Sequence, residues 1–209
     1  MEPENSKSGL ILVEFQNQWT EPGLYHFLIR RQLQSRGVIQ KTRRLVKESR
    51  DLGIKIVHAP LVIDPQNKRG LLAHLTFGQV FTLGSRRSEI TSGIYEEGDL
   101  VVKGRYAFDA FIGSNLEDLL RNNGMRRVFL AGFTTDQCVA KTLRTALRKG
   151  FQAYLISDCT ATMSRFLQKK TERKFGECAL GIEDLLDLIT PRGVSASAND
   201  DRVPLCNQL

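Results

Sequence analysis

The chain has 209 residues, 41% hydrophobic and 25% charged, which is close to ordinary globular usage and long enough for one domain with a substantial core. No window approaches the roughly 18 apolar residues that span a bilayer, and the polar start MEPENSKSG lacks the apolar core of a signal peptide, so a cytoplasmic protein with no membrane partner is expected. The net charge of +7 is spread over RRQLQSR, KTRRLVK, RTALRK and RFLQKKTERK, with no arginine-rich arm and no zinc-finger spacing; nucleic acid is not an expected partner, whereas anionic substrates are compatible.

LILVEF, residues 10–15, is a short apolar run closed by an acid and reads as a buried first strand. Residues 36–51 carry a helical stripe, and Gly53 sits where a helix C-terminal glycine belongs. IKIVHAP reads as the second strand and DLVVK as the third. Residues 60–98 between them have few periodic signals and several glycines, as lids and binding loops often do. A helix over 115–123 stops at Gly124, RRVFLAGF is the fourth strand, and a helix over 135–149 follows it. FQAYLISD is the fifth strand, residues 172–188 are helical in part, and the tail PRGVSASANDDRVPLCNQL is polar, frayed or docked on a neighbouring subunit. Strands that are near-continuous apolar runs and alternate with helices call for a parallel sheet covered on both faces, an α/β protein with a single domain over 1–190 and a tail over 191–209.

The four cysteines, Cys138, Cys159, Cys178 and Cys206, match neither a C-x-x-C pair nor a zinc site, and disulfides are not expected. In open parallel sheets ligands bind beyond the carboxyl ends of the strands. Glu14, Lys103 and Cys138 all fall there, after the first, third and fourth strands. An acid, an amine and a thiol at one sheet edge suit covalent hydrolysis. A thiolate attacks once its pKa is brought below the free value near 8.5, helped by a helix N-terminus with Thr135 as cap and by Lys103. Glu14 carries the proton. The plainer readings are a buried thiol at Cys138, a solvated strand end at Lys103, or a structural ion pair between Lys103 and Glu14.

Three segments resemble the isochorismatase-like cysteine hydrolases, whose members include nicotinamidases, N-carbamoylsarcosine amidases and isochorismatases. LILVEFQNQW is similar to the family's first strand, VVKGRYAFDAFIGSNLEDLLRNNG to its lysine segment, and RRVFLAGFTTDQCVAKTLRTALRKGFQAYLISDCTAT to its nucleophile segment. The ordered match runs from about residue 9 to 164. The resemblance implies a three-layer α/β/α sandwich with a mainly parallel central sheet. It implies Cys138 as nucleophile, Glu14 as general acid/base and Lys103 tuning both. An oxyanion hole from the backbone N–H groups of Thr134 and Cys138, a cis peptide at Phe133–Thr134, and a homo-oligomer, dimer or tetramer, are implied as well.

Two departures stand out. The family's first acid is normally Asp, and Glu14 is one methylene longer, so the carboxylate must bend or the strand must shift to keep its distance to the thiol. Nicotinamidases hold zinc with an Asp-x-His pair and another His; this chain has His26, His58 and His74 and no Asp-x-His, so no metal and no other cofactor is expected, with His58, Asp64 and His74 as the one loose alternative set. Gln16, Trp19, Tyr106, Phe108 and Phe133 are the candidate pocket lining, although aromatic residues at this density equally suit core or interface packing. Arg105 either meets an anionic substrate group or forms a surface ion pair. The expected function is a cysteine hydrolase cleaving a C–N bond of a small amide or ureide through a thioester. The alternatives are a vinyl ether hydrolase of the isochorismatase type and a non-catalytic binding protein on the same fold.

Overall fold

The computed structural model describes residues 4–64, 66 and 80–190. The tail over 191–209, His74 and part of the irregular 60–98 stretch lie outside the described residues. Six strands form one wholly parallel sheet: β1 (Ser8–Val13), β2 (Lys55–Ala59), β3 (Leu100–Val101), β4 (Arg127–Phe133), β5 (Gln152–Ala161) and β6 (Ala179–Leu180). Their order across the sheet is β3-β2-β1-β4-β5-β6. Helices α1 (Asn17–Thr20), α2 (Leu24–Ser35), α3 (Val38–Asp51), α4 (Leu116–Asn122), α5 (Ala140–Arg148), α6 (Arg165–Phe175) and α7 (Ile182–Ile189) complete a three-layer α/β/α sandwich.

The central strands are apolar throughout because both faces are covered. Every residue of SGLILV in β1 and of RVFLAGF in β4 is buried. Each fully buried Val, Leu, Ile or Phe among them contributes about 1.5–3 kcal/mol relative to exposure. The helices α3 and α5 both pack on β5, and α3 also packs on β2. At the end of α3, Gly53 takes φ +79, its N–H bonding the Arg50 carbonyl and the Ile54 N–H that of Ser49. This Schellman turn aims the chain into β2, and the same pairing feeds β4 and β5 from α4 and α5.

Several boundaries differ from the sequence expectation. β1 ends at Val13 rather than Phe15, because Glu14 adopts φ +56 and turns out of the strand. The expected five-residue third strand pairs over two residues only, at the sheet edge. The helix α2 was not anticipated, since its Leu24, Phe27 and Leu28 are exposed and blur the apolar stripe. Residues 172–188, expected to be helical in part, comprise the end of α6 and most of α7, separated by the edge strand β6. Cys138 and Cys159 are free thiols, but Cys178 is disulfide-bonded, contrary to expectation, with its partner outside the described residues.

Candidate active site

Topology sets the place. From β1 the sheet grows one way through β2 and β3, and from β4 the other way through β5 and β6, so the switch point lies between β1 and β4. The crevice beyond the carboxyl ends of two such strands is where α/β sheets bind ligands. Glu14 follows β1 directly, and Cys138 lies in the turn after β4. The two strands come unusually close here. Gly132 sits opposite Val13 with φ +129, and a Cβ on it would lie 1.9 Å from the Val13 carbonyl oxygen.

Glu14 is 1% exposed. A carboxylate so buried needs partners, and it has two: the Arg105 Nη2 donates to Oε1 at 2.6 Å and the Trp19 Nε1–H donates to Oε2 at 3.0 Å. The Cys138 thiol lies near enough for the Glu14 charge to raise its pKa. Arg105 is itself buried and uses its whole fork locally. Nη1 donates to the Ala59 carbonyl (2.6 Å), Nη2 also to that of Phe108 (2.8 Å), and Nε to that of Ala107 (3.0 Å). Arg105 therefore neither pairs at the surface nor remains free for an anionic substrate group.

Lys103 is not brought to this pair. Its side chain is exposed, and what it anchors is backbone: its N–H bonds Asn115 Oδ1 at 2.8 Å and its carbonyl takes the Asn115 N–H at 3.2 Å. The physical reason is the acceptor set. A buried carboxylate beside three main-chain carbonyls calls for a planar fork of five donors, which guanidinium supplies and a strongly hydrated ammonium does not.

Cys138 is 4% exposed and lies within a single π-helical turn, Thr135–Val139, that opens into α5. Such turns are rare and occur frequently at functional sites. The Phe133–Thr134 peptide that enters this turn is cis, and the Thr134 backbone N–H acts to lower the thiol pKa. The thiol is pushed well above its usual range, first by burial and then by the Glu14 charge, with Arg105 opposing. This corrects the expectation of a lowered thiol pKa: loss of water outweighs the helix start and the nearby cation. Thr135 is not the cap either. Thr134 occupies that position without a side-chain bond, and the Thr135 hydroxyl donates to Gln168 Oε1 at 2.7 Å.

The other expected pocket residues divide. Trp19 and Phe133 lie at the site, with the Phe133 ring tilted against those of Phe15 and Trp19 at centroid distances of 4.6 and 6.2 Å. Gln16 is instead a structural tie. Its amide is fully buried and bonds the Leu61 N–H, the Leu61 carbonyl and the Ser88 carbonyl. Phe108 is half-buried under the Lys141 ammonium, 4.8 Å from the ring centroid. Tyr106 lines a cavity of about 390 Å³ whose wall also includes Arg105, Lys103 and Asp64, but neither Glu14 nor Cys138. The sequence reading missed Thr142. Its hydroxyl donates to the Cys138 carbonyl (2.7 Å) and accepts the Ala110 N–H (2.9 Å), tying the nucleophile turn to the segment that carries Arg105. Threonine four residues after a candidate nucleophile is the signal that points to it.

The residues do not fit a zinc centre of the nicotinamidase kind. His58 Nε2 is 2.9 Å from Asp99 Oδ2, which Arg50 also holds at 2.6 Å, and burial lowers the imidazole pKa. Asp64 Oδ1 accepts the Gln66 N–H. Among the described residues no group of three or more His, Cys, Asp or Glu is placed to hold a metal ion, and no helix is long and apolar enough to cross a membrane.

A doubly wound parallel sheet with a thiol, an acid and a guanidinium gathered at its switch point is the architecture of one class of α/β protein. Residues 8–176 match the isochorismatase domain, and the chain belongs to that family. It is 44% identical over 62 residues to the uncharacterized isochorismatase family protein YrdC of Bacillus subtilis (strain 168), covering 30% of this chain and 33% of that one. It is 31% identical over 106 residues to Nicotinamidase 3 of Arabidopsis thaliana, covering 49% and 52%. The chain thus spans between a third and about half of these curated relatives. In fold it is similar to a cysteine hydrolase from Pseudomonas syringae pv. phaseolicola 1448A, with a TM-score of 0.78 at 14% identity, over 90% of this chain and 95% of that one.

Proposed function

We propose that the protein is a cysteine hydrolase that cleaves the C–N bond of a small amide or ureide. One observation carries the reading: a thiol and a carboxylate, both buried, lie together at the switch point of the sheet, near enough that the Glu14 charge raises the thiol pKa. As Sγ attacks the substrate carbonyl carbon, its proton passes to Glu14. The oxyanion that forms is held by the backbone N–H groups of Thr134 and Cys138. Collapse expels the amine or ammonia, which takes the proton from Glu14, and leaves a thioester on Cys138. Water then attacks the thioester while Glu14 accepts its proton, and release of the acid restores the thiol. Arg105 takes the part expected of Lys103 and keeps the carboxylate in place throughout. The name of the Arabidopsis relative, Nicotinamidase 3, supports an amide as the substrate class.

The test is a panel of small amides and ureides with intact-mass spectrometry of the quenched enzyme. An acyl adduct on Cys138 is expected, together with a burst of the first product. The Cys138→Ala protein should lose turnover and Glu14→Gln should lose it as well. Full turnover of a genuine substrate by Cys138→Ala, with loss only in Glu14→Gln, would overturn the thioester and favour the acid-driven vinyl ether chemistry.

A further inference from the structure

Lys103 is released from the reaction centre, and the cavity of about 390 Å³ gives it another use. Its walls are largely apolar, through Val62, Leu83 and Val101, with the Tyr106 ring among them. Besides Arg105, two charged residues line it, Asp64 and Lys103. No ion pair within 4.0 Å joins them, and neither is paired with any other charged group among the described residues. Lys103 is held by its backbone through Asn115, and Asp64 is half-buried. The wall includes Arg105, whose guanidinium bonds Glu14, and this residue links the cavity to the buried acid.

We propose that this cavity binds a small zwitterion, one ammonium and one carboxylate joined through a short apolar stem to the scissile amide or ureide. Lys103 receives the carboxylate, Asp64 the ammonium, and the apolar walls the stem. The argument is one of charge balance. Arg105 is neutralised by Glu14, so the cavity presents one charge of each sign that no ion pair cancels among the described residues. A mono-anion meets Asp64 and a mono-cation meets Lys103, and each is opposed by one wall; only a ligand carrying both charges satisfies both. The volume lies within the range of small-molecule sites. The amide or ureide end rests on the hydrolase reading above; the zwitterion end does not.

Norvaline, pentanoate and butylamine form a matched set, the last two being norvaline without its ammonium or without its carboxylate. Titration calorimetry should find norvaline bound about tenfold more tightly than either, the equivalent of about 1.4 kcal/mol. Asp64→Asn should weaken norvaline and tighten pentanoate, and Lys103→Met should weaken norvaline and tighten butylamine. Thermal melting of both variants establishes that they are folded, as their positions at the cavity rim lead one to expect. Binding of all three compounds within about twofold of one another, no measurable norvaline binding, or norvaline binding unchanged in both variants overturns the proposal. None of these probes has a hydrolysable bond. A protein that binds norvaline as described yet never forms an acyl adduct keeps the zwitterion site and loses the hydrolase reading, and the converse result does the opposite.

Discussion

Arg105→Met and Lys103→Met together test which cation serves the buried acid. In Arg105→Met the Glu14 carboxylate loses its 2.6 Å partner while staying 1% exposed, and the carbonyls of Ala59, Ala107 and Phe108 each lose a donor. Removing one member of a buried ion pair costs about 3–5 kcal/mol. Lys103 is exposed, and its anchoring bonds are made by backbone, so its replacement costs within about 0.5 kcal/mol. Arg105→Lys falls between, because an ammonium keeps the charge but cannot reproduce four bonds in one plane. The chain has one tryptophan, Trp19, whose indole donates to Glu14, so its fluorescence reports unfolding from within the site. With a urea m-value of about 2 kcal/mol/M, Arg105→Met should lower the unfolding midpoint by about 1.5–2.5 M and Lys103→Met by under about 0.3 M. Adding Glu14→Gln to Arg105→Met should restore part of the loss, since the orphaned charge is then gone. Equal midpoint shifts for the two methionine variants would refute the assignment.

Two further outcomes follow from the same geometry. In Glu14→Gln the Glu14 charge, which raises the thiol pKa, is removed, while the opposing Arg105 remains. The thiol should therefore ionise at lower pH, so that the pH midpoint of iodoacetamide alkylation moves down even as turnover falls by about 10²–10⁴; an upward or unchanged midpoint contradicts the assigned causes. Gly132→Ala puts a methyl group 1.9 Å from the Val13 oxygen at a φ of +129, and should cost about 2–5 kcal/mol in urea unfolding. Gly150→Ala, with φ +84 but nothing within 4 Å, is the control and should cost about 1–2 kcal/mol; equal losses would show that the strand contact is not what requires glycine.

The sheet was legible because its strands are buried on both faces and read as unbroken apolar runs, as VFLAGF does in β4. Placing Glu14 and Cys138 at strand ends was legible for the same reason, since strand order fixes which ends meet. The cation was not legible. Lys103 and Arg105 stand two positions apart, and which one turns inward is decided after β3 has ended, by a loop whose carbonyls need donors. The cue in the sequence was chemical rather than positional: a buried acid beside strand-end carbonyls suits a guanidinium. Gln16 was misread for a related reason. Its bonds go to Leu61 and Ser88, distant segments whose approach no local pattern announces. Glu14 itself leaves the strand in a left-handed turn, where LILVEF had read as strand through Phe15.

A thiol held neutral looks ill suited to nucleophilic attack, yet the charge arrangement makes it coherent with the proposed chemistry. Before attack the buried site holds one negative charge, on Glu14, and one positive charge, on Arg105, with the thiol neutral. When the proton moves from Sγ to Glu14, the negative charge passes to sulfur and then to the oxyanion, and no new charge is created in a dry site. Arg105 stays fixed to three backbone carbonyls and need not reorganise. The Thr134 N–H favours negative charge on the sulfur, and a protonated Glu14 keeps an acceptor oxygen for the Trp19 N–H. A free thiolate standing in the same pocket would leave two adjacent anions against one guanidinium, which burial penalises heavily. In the proposed reaction, storing the proton on sulfur and moving it only during attack avoids that state, so the raised thiol and the buried acid would act as one unit whose single proton is shared.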